Sequence, residues 1–263
     1  MIFIVFVFGL LVGSFLNVCI CRIPDDLSVV APRSMCPKCN NLIKWYDNIP
    51  VLSYLILGAK CRYCSKKISI QYPIIELLFA FMCTYLYVHF GSQYFVVYYG
   101  VLSGCLLVAT VIDLKHYIIP DEVNIVGVVV GVGGAVIFPQ LVGGSGWLDG
   151  LVHSVLGIAV GFSVLRIVVV LGKIIFRKEA MGLGDPKFLA MIGAFLGYKS
   201  VLLIIFISSL LGALIGSVVV YGFRKDKSDT AIPYGPFLAV AAYVTLFYGQ
   251  YLIDWYTGLL TID

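Results

Sequence analysis

Charged residues are scarce in this sequence. Only 12% of its 263 residues are Asp, Glu, Lys or Arg, whereas 61% are apolar, and the mean hydropathy is +1.02. Soluble domains contain about 25% charged and about 45–50% apolar residues. One soluble core cannot bury this much apolar surface, so lipid must surround most of the chain. The composition excludes secreted mini-proteins, DNA-binding modules and disordered linkers, and no nucleic-acid partner is expected.

No positively charged residue precedes the first apolar stretch, and Arg22 follows directly after it. A cleaved signal peptide has the opposite order of charge, so we predict a retained span with its N-terminus outside. The stretch 188–198 is shorter than the ~17–25 residues of an ordinary span, which is typical of a broken helix lining a polar cavity. We predict an all-α polytopic membrane protein with about eight transmembrane helices. The candidate spans are 1–20, 73–90, 95–112, 123–138, 150–172, 188–198, 200–222 and 236–253.

The distribution of positive charge supports this orientation. Sixteen of the 18 Lys and Arg residues fall in loops that it places inside, and the outer loop 139–149 has none. Cytoplasmic loops of membrane proteins are enriched in Lys and Arg. Polar chemistry is then confined to the inner segments 21–72, 113–122 and 173–187. The charge run 224–230 is interpreted as a solvated loop.

Four of the eight cysteines form two C-x-x-C pairs within 21–72. CPKC provides Cys36 and Cys39, and CRYC provides Cys61 and Cys64. Two such turns supply a tetrahedral site of four thiolates, for which zinc is the usual structural metal. A disulfide is disfavoured in a reducing cytosol, and a loop of about 50 residues has too small a core to fold without a crosslink. We predict a structural zinc site, with a redox dithiol pair or an iron–sulfur cluster as alternatives.

Two aspartates lie at the inner ends of predicted spans. Asp113 ends the third span, and Asp185 opens the short sixth span. A lysine follows each of them two residues later. One interpretation is therefore a pair of juxtamembrane acids neutralised by Lys115 and Lys187.

The residues around Asp185 favour a catalytic interpretation. Gly182 and Gly184 leave the backbone accessible to another chain, and Pro186 is expected to keep the aspartate on an irregular turn. Two carboxylates brought together share a proton, so one can activate water while the other hydrogen-bonds the scissile carbonyl. The sequence has no G-x-S-x-G or H-E-x-x-H motif, and its three histidines are scattered, which weakens serine-protease and metalloprotease interpretations. We predict peptide hydrolysis by Asp113 and Asp185.

The order of these motifs resembles that of the bacterial type IV prepilin peptidases, the G-x-G-D class of intramembrane aspartyl proteases. G-x-G-D alone would be a weak signal, but the resemblance covers nearly the whole chain and includes the double C-x-x-C. The matching segments are GSFLNVCICRIP (13–24), PRSMCPKC (32–39), WYDNIPVLSYL (45–55), CRYC (61–64), ISIQYPIIELL (68–78), the Asp113 segment ending in IIP (118–120), GLGD (182–185) followed by PKFLAMIGAFLG, and IPYGPFLA (232–239).

The resemblance implies that Asp113 and Asp185 are the catalytic pair, next to a supporting loop that contains Gly182 and Gly184. It implies a prepilin or pilin-like secretion or competence precursor as substrate, cut on the cytosolic side of the bacterial inner membrane just before its apolar helix. It also implies that the new N-terminus is then methylated with S-adenosylmethionine. The segment 21–72 is too short for a Rossmann unit, so no residue is assigned to the methyl-donor pocket. Membrane lipid is a further expected partner, and the sequence does not indicate an oligomeric state.

Three interpretations stay open. The first is a bifunctional peptidase and N-methyltransferase, and the second is a peptidase whose zinc module only binds substrate or braces the spans. The third is a non-enzymatic zinc-bearing scaffold or transporter, although a transporter is expected to have inverted repeats and acids near the membrane midplane. The predicted division is a first span at 1–20, a cytosolic zinc module at 21–72 and a transmembrane peptidase domain at 73–258.

Overall fold

The computed structural model describes residues 1–176, 182–222 and 232–260, which form helices and loops without a β-strand. The predicted all-α fold class is confirmed. The positive charges expected at 177–178 and in the run 224–230 lie outside the described residues. The α-helices are α1 (Ile2–Arg22), α2 (Leu52–Ile56), α3 (Gln71–Phe90), α4 (Gln93–His116), α5 (Asp121–Ile137), α6 (Trp147–Phe176), α7 (Gly184–Gly222) and α8 (Gly235–Leu260).

Every predicted apolar stretch forms helix, although not every stretch is a separate span. Among the described residues, 6 helices are long and apolar enough to cross a membrane. The helix α5 is also apolar but has only 17 residues. The stretches 188–198 and 200–222 join into the 39-residue helix α7, which is interrupted at Gly197 with φ 74° and ψ 168°. Glycine adopts this conformation without a steric penalty, so the expected break is a kink within one long helix.

Residues 1–108 form one compact unit, in which α1 packs along α3. Gly9 and Gly13 are four residues apart and make this contact close. A Cβ at Gly9 would lie 2.7 Å from the Cα of Ala80, and a Cβ at Gly13 would lie 2.8 Å from the Cα of Glu76. Small residues let helix backbones approach in lipid, where hydrophobic burial does not drive association. Backbone proximity therefore holds the first span against α3.

A buried carboxylate ties the segment before α2 to α3. Glu76 is 6% exposed, and its Oε2 accepts a hydrogen bond from the N–H of Val51 at 2.8 Å. Val51 has φ 61°, which is unusual for a β-branched residue and requires support from its surroundings. The side-chain amide of Asn17 donates to the carbonyl of Tyr72 at 3.1 Å. The first bond connects the cysteine-containing segment to α3, and the second connects α1 to the first turn of α3.

The second compact unit begins at residue 109. In it, α7 packs against both α5 and α6. A side chain at Gly161 on α6 would meet the carbonyl oxygen of Leu189 at 2.7 Å, and one at Gly131 on α5 would meet the Cβ of Ala194 at 2.8 Å. The first half of α7 is therefore fixed between its two neighbours, and this half begins with the turn that carries Asp185.

Candidate active site and metal centre

Asp113 lies in the last turn of α4 and is buried, with 5% of its surface exposed. Its Oδ2 accepts a hydrogen bond at 2.9 Å from the N–H of Gly235, the first residue of α8. The first N–H groups of a helix have no partner within the helix and carry a partial positive charge. Pro236 has no N–H, so few donors remain at this helix end. The start of α8 therefore orients the Asp113 carboxylate.

Gly235 is a site residue that the sequence motifs did not reveal. A Cβ at this position would lie 2.6 Å from Oδ2 of Asp113 and 3.2 Å from Cδ1 of Ile119. Only glycine lets the backbone approach the carboxylate this closely. The signal was present in the segment 232–239, but its single glycine carries no chemistry by itself.

Asp185 is 6% exposed and lies in the first turn of α7, where it accepts a hydrogen bond from the N–H of Gly182. The expectation that Pro186 keeps this aspartate on an irregular turn is therefore wrong. Proline is tolerated in the first turn of a helix because its missing N–H would have no intrahelical partner there. The irregular backbone ends before Gly184, the residue at which α7 begins.

The two predicted supporting glycines have different surroundings. A Cβ at Gly184 would lie 3.0 Å from the Cβ of Ile119, whereas the nearest neighbour of one at Gly182 is Oδ2 of Asp185 at 3.7 Å. Gly184 therefore allows close packing against Ile119. Among the described residues, a Cβ at Gly182 would make only ordinary contacts, with Oδ2 of Asp185 and, at 3.9 Å, with the N of Gly184.

The structure brings both aspartates into one cluster within the second unit. Ile119 lies beside the glycines that open α7 and α8, and each of these helices positions one carboxylate. Two buried acids, each held by a backbone N–H, are thereby available for acid–base chemistry.

Lys187 forms an ion pair with Asp121 and not with Asp185, the acid that it was expected to neutralise. Its Nζ lies 2.8 Å and 2.7 Å from the two carboxylate oxygens of Asp121. Both partners of this ion pair are about half exposed. The structure therefore gives no support to neutralisation of Asp185 by Lys187.

The four predicted ligand cysteines converge on one point in the first unit. The sulfurs of Cys36, Cys39, Cys61 and Cys64 lie within 4.8 Å of one another, and those of Cys36 and Cys64 are 3.9 Å apart. Tetrahedral zinc with Zn–S bonds of ~2.3 Å requires sulfurs about 3.8 Å apart. This donor set and spacing fit a structural metal.

Each C-x-x-C pair belongs to a knuckle, the first at 35–42 and the second at 60–67. In each knuckle the N–H of the first cysteine donates a hydrogen bond to the carbonyl of the residue five positions later. The carbonyl of the same cysteine accepts a hydrogen bond from the N–H of the residue four positions later. The latter residue has a positive φ, at Asn40 and Ser65, and this turns the chain back over the sulfurs. The N–H to carbonyl bonds are Cys36 to Asn41 (3.0 Å), Asn40 to Cys36 (2.9 Å), Cys61 to Lys66 (2.9 Å) and Ser65 to Cys61 (2.9 Å).

The backbone of the second knuckle favours one thiolate. The N–H groups of Cys64 and Tyr63 lower the pKa of the Cys61 thiol to about 7. At Cys64 the N–H of Lys66 has a lowering effect, but burial and the neighbouring cysteine sulfurs raise the pKa to about 11. The sulfurs therefore need a cation to be ionised together, and a divalent metal provides that charge.

Two family models match successive parts of the chain. Residues 7–90 match the bacterial peptidase A24 N-terminal domain, and residues 100–217 match the type IV leader peptidase family. The first match contains the four cysteines, and the second contains both aspartates. No solved structure matches the chain.

Several curated relatives carry the name prepilin leader peptidase/N-methyltransferase. The Xanthomonas campestris protein is 37% identical over 94% of this chain and 91% of its own length. The Pseudomonas aeruginosa protein is 34% identical over 94% of this chain and 90% of its own length. The Myxococcus xanthus protein is 41% identical, and the matched region covers 80% of this chain and 61% of the length of that protein. These relatives and the apolar helices indicate a multi-pass inner-membrane protein, and the chain belongs to the bacterial type IV leader peptidase family.

Proposed function

We propose that this protein removes the leader peptide from type IV prepilins or pilin-like precursors and then methylates the new N-terminus. The observation that carries the peptidase proposal is the pair of buried aspartates, each bonded to a backbone N–H near the start of a helix. Membership of the leader peptidase family supports an enzyme and leaves the scaffold and transporter interpretations without support.

In the proposed reaction, Asp113 and Asp185 share one proton, because two adjacent carboxylates in a site of low dielectric do not both ionise. The ionised carboxylate accepts a proton from water as the water oxygen attacks the scissile carbonyl carbon. The protonated carboxyl group donates a hydrogen bond to the carbonyl oxygen as negative charge develops there. The tetrahedral intermediate then breaks its C–N bond, and the leaving amine takes a proton from the dyad.

The open backbone at Gly182 is the place where we propose that the scissile segment lies. The backbone of a helical substrate is closed by its own hydrogen bonds, so the substrate must be extended at the cut. Gly182 and its neighbour Leu183 are both exposed. A peptide can therefore approach Asp185 from this side without meeting a side chain at residue 182.

We propose an N-terminus outside and an active site that faces the cytosol, as the positive-inside distribution of Lys and Arg supports. The segment 21–72 would then form a cytosolic module with structural zinc on its four cysteines, in contact with lipid head groups. The segment 73–258 would form the peptidase domain.

For methylation, we propose S-adenosylmethionine as the methyl donor. The names of the relatives support this second activity, while the donor pocket has no assigned residue. The alternative is a peptidase whose zinc module only braces the spans or binds substrate.

Co-expression with a candidate prepilin tests the proposal. The mass of the processed N-terminus reports both cleavage and addition of a methyl group, and cells that express Asp113→Asn provide the control. Processed, methylated pilin is expected only with the wild-type chain. Cleavage without the methyl increment would leave the peptidase-only alternative, and unprocessed precursor would refute the proposed peptidase.

A further inference from the structure

The short helix α2 has an apolar face that no described residue covers. Leu52, Leu55 and Ile56 are 57%, 66% and 80% exposed. Residues at positions i, i+3 and i+4 lie on the same side of a helix, so these three side chains form one face, hereafter the α2 face. Exposure of several large aliphatic side chains to water is unfavourable. The α2 face therefore indicates a contact with an apolar partner.

A hydrogen bond fixes the start of α2 beside a membrane-spanning helix. The N–H of Val51, the residue before α2, donates to Oε2 of Glu76 at 2.8 Å. Glu76 follows the first residue of α3 by five positions, which is about 7.5 Å along the helix axis. The 20 residues of α3 extend about 30 Å, the thickness of the hydrocarbon core, so α3 needs its whole length to cross the membrane. The start of α2 therefore lies within the edge of the lipid layer.

We propose that the α2 face inserts into phospholipid at the membrane surface, so that α2 anchors the cysteine-containing segment in the bilayer. This inference rests on the proposed arrangement of the spans and not on the peptidase chemistry. Helices that lie in the membrane surface place their apolar side about 5–10 Å into the boundary between head groups and acyl chains. The depth at which Glu76 holds the start of α2 falls within this range.

The backbone around α2 is suited to contact with lipid, in which polar main-chain groups need partners from the protein itself. Successive N–H groups bond to carbonyls within the segment, and Gly58 and Ala59, with φ 57° and 59°, then turn the chain back toward the second knuckle. The N–H to carbonyl bonds are Ser53 to Ile49 (3.0 Å), Leu55 to Val51 (3.1 Å), Leu57 to Ser53 (2.9 Å), Gly58 to Leu55 (3.0 Å) and Ala59 to Tyr54 (2.9 Å).

The charges that follow α2 favour phospholipid over an uncharged apolar partner. The range 48–75 contains four basic residues and no Asp or Glu. Arg62 is paired with Asp47, whereas the other three, Lys60, Lys66 and Lys67, are exposed. Basic residues next to a membrane are attracted to the phosphate groups of the lipid head groups. An apolar face followed by exposed lysines is therefore complementary to the two layers of a membrane surface.

Fluorescence of the full chain in nanodiscs, with one copy in each disc and no precursor, tests the insertion. The three native tryptophans are replaced by phenylalanine, and Ile56→Trp places one reporter on the α2 face. Lipid brominated on its acyl chains should quench this reporter strongly, whereas acrylamide in the water should quench it little. Lys38→Trp in the same background is the matched control, because Lys38 is an exposed charged residue of the first knuckle, and it should show the opposite pattern. Circular dichroism checks the fold of each variant.

Two results with Ile56→Trp would overturn the inference. The first is quenching by acrylamide and not by brominated lipid, which would show that the α2 face lies in water. If precursor or a second copy in the disc then protected the reporter from acrylamide, the occupant of the face would be a protein. The second is equal quenching by brominated lipid at positions 56 and 38, which would show no preference for the α2 face. Cleavage of precursor by wild-type nanodiscs is measured separately, so failure of this inference is distinguishable from failure of the proposed function.

A carboxylate on the α2 face should remove it from the lipid. Leu55→Asp combined with Ile56→Trp should lose most of the quenching by brominated lipid and gain quenching by acrylamide, because Asp is unfavourable among acyl chains and is repelled by lipid phosphate. Val30→Asp is the matched control, since Val30 is 87% exposed and lies outside α2, and it should change neither value. Unchanged quenching in the Leu55→Asp variant would show that the α2 face does not hold the reporter in lipid, and the inference would fall.

Discussion

The N–H of Gly235 donates a hydrogen bond to Asp113 across 122 residues of sequence. The same glycine has no space for a side chain, since a Cβ would lie 2.6 Å from the accepting oxygen. The orientation of the proposed catalytic carboxylate therefore depends on the absence of one methyl group at the start of α8.

Gly235→Ala should reduce cleavage about a hundredfold, because a displacement of the order of 1 Å in a catalytic group costs that much. The measurement is kcat on a precursor peptide, with helix content followed by circular dichroism. Gly133→Ala on α5 is the matched control, since its Cβ would meet no atom of the described residues within 4 Å. Equal activities of the two variants would contradict the positioning role of Gly235.

Asp113→Asn and Asp185→Asn should each abolish cleavage, because an amide can neither accept the proton of water nor donate as a carboxylic acid does. The loss of one member of a coupled pair is expected to reduce kcat by several orders of magnitude. Helix content and zinc content should not change. The exposed Asp254→Asn on α8 serves as the control. Near-normal processing by either catalytic variant would refute the aspartyl mechanism.

The four cysteines should bind about one zinc per chain. Replacing any of them with serine should release the metal and increase proteolysis of 21–72, while the spans stay inserted. Elemental analysis and limited proteolysis measure both effects, and Cys21→Ser is the control because Cys21 is not one of the four clustered cysteines. Stoichiometric zinc in a Cys36→Ser/Cys61→Ser double mutant would exclude the site.

The second knuckle carries an ion pair whose pH dependence has a definite sign. The guanidinium of Arg62 donates two hydrogen bonds to Asp47 and lowers the pKa of that carboxyl group. The ion pair therefore contributes its full stabilisation when the pH is above the pKa of Asp47 in the unfolded chain, about 3.9. This contribution is lost only as the pH falls through the lower pKa of Asp47 in the folded protein.

Arg62→Gln should therefore speed zinc release to a chelator by about two- to fivefold, the scale of a partly exposed ion pair. The ratio of its rate to the wild-type rate should stay constant from pH 5.5 to pH 8, because Asp47 is ionised throughout. Lys38→Gln in the first knuckle is the control. A ratio that falls toward one between pH 7 and pH 5.5 would show that Asp47 titrates near neutrality, which is incompatible with a lowered pKa.

The sequence was sufficient for features that depend on local pattern. The apolar stretches predicted the helices, and the two C-x-x-C spacings predicted the convergence of Cys36, Cys39, Cys61 and Cys64. It was not sufficient for features set by distant contacts. Gly235 acquires its role only through packing, and nothing in a linear pattern indicates which carboxylate it meets. The eight stretches did not show that two of them join across Gly197.

The last prediction separates the two glycines before Asp185. Gly184→Val should block cleavage and destabilise the protein, because even its Cβ would lie 3.0 Å from that of Ile119 and would push this residue toward Gly235. Gly182→Val should leave the melting temperature unchanged and raise KM, because its Cβ would lie no closer than 3.7 Å to any atom of the described residues, on the side where we propose that the substrate lies. Kinetics on precursor peptides and thermal unfolding of both variants provide the measurement. If Gly182→Val cleaved with a wild-type KM, the substrate would have to reach Asp185 from another side; if Gly184→Val were active and stable, Ile119 would not connect the starts of α7 and α8.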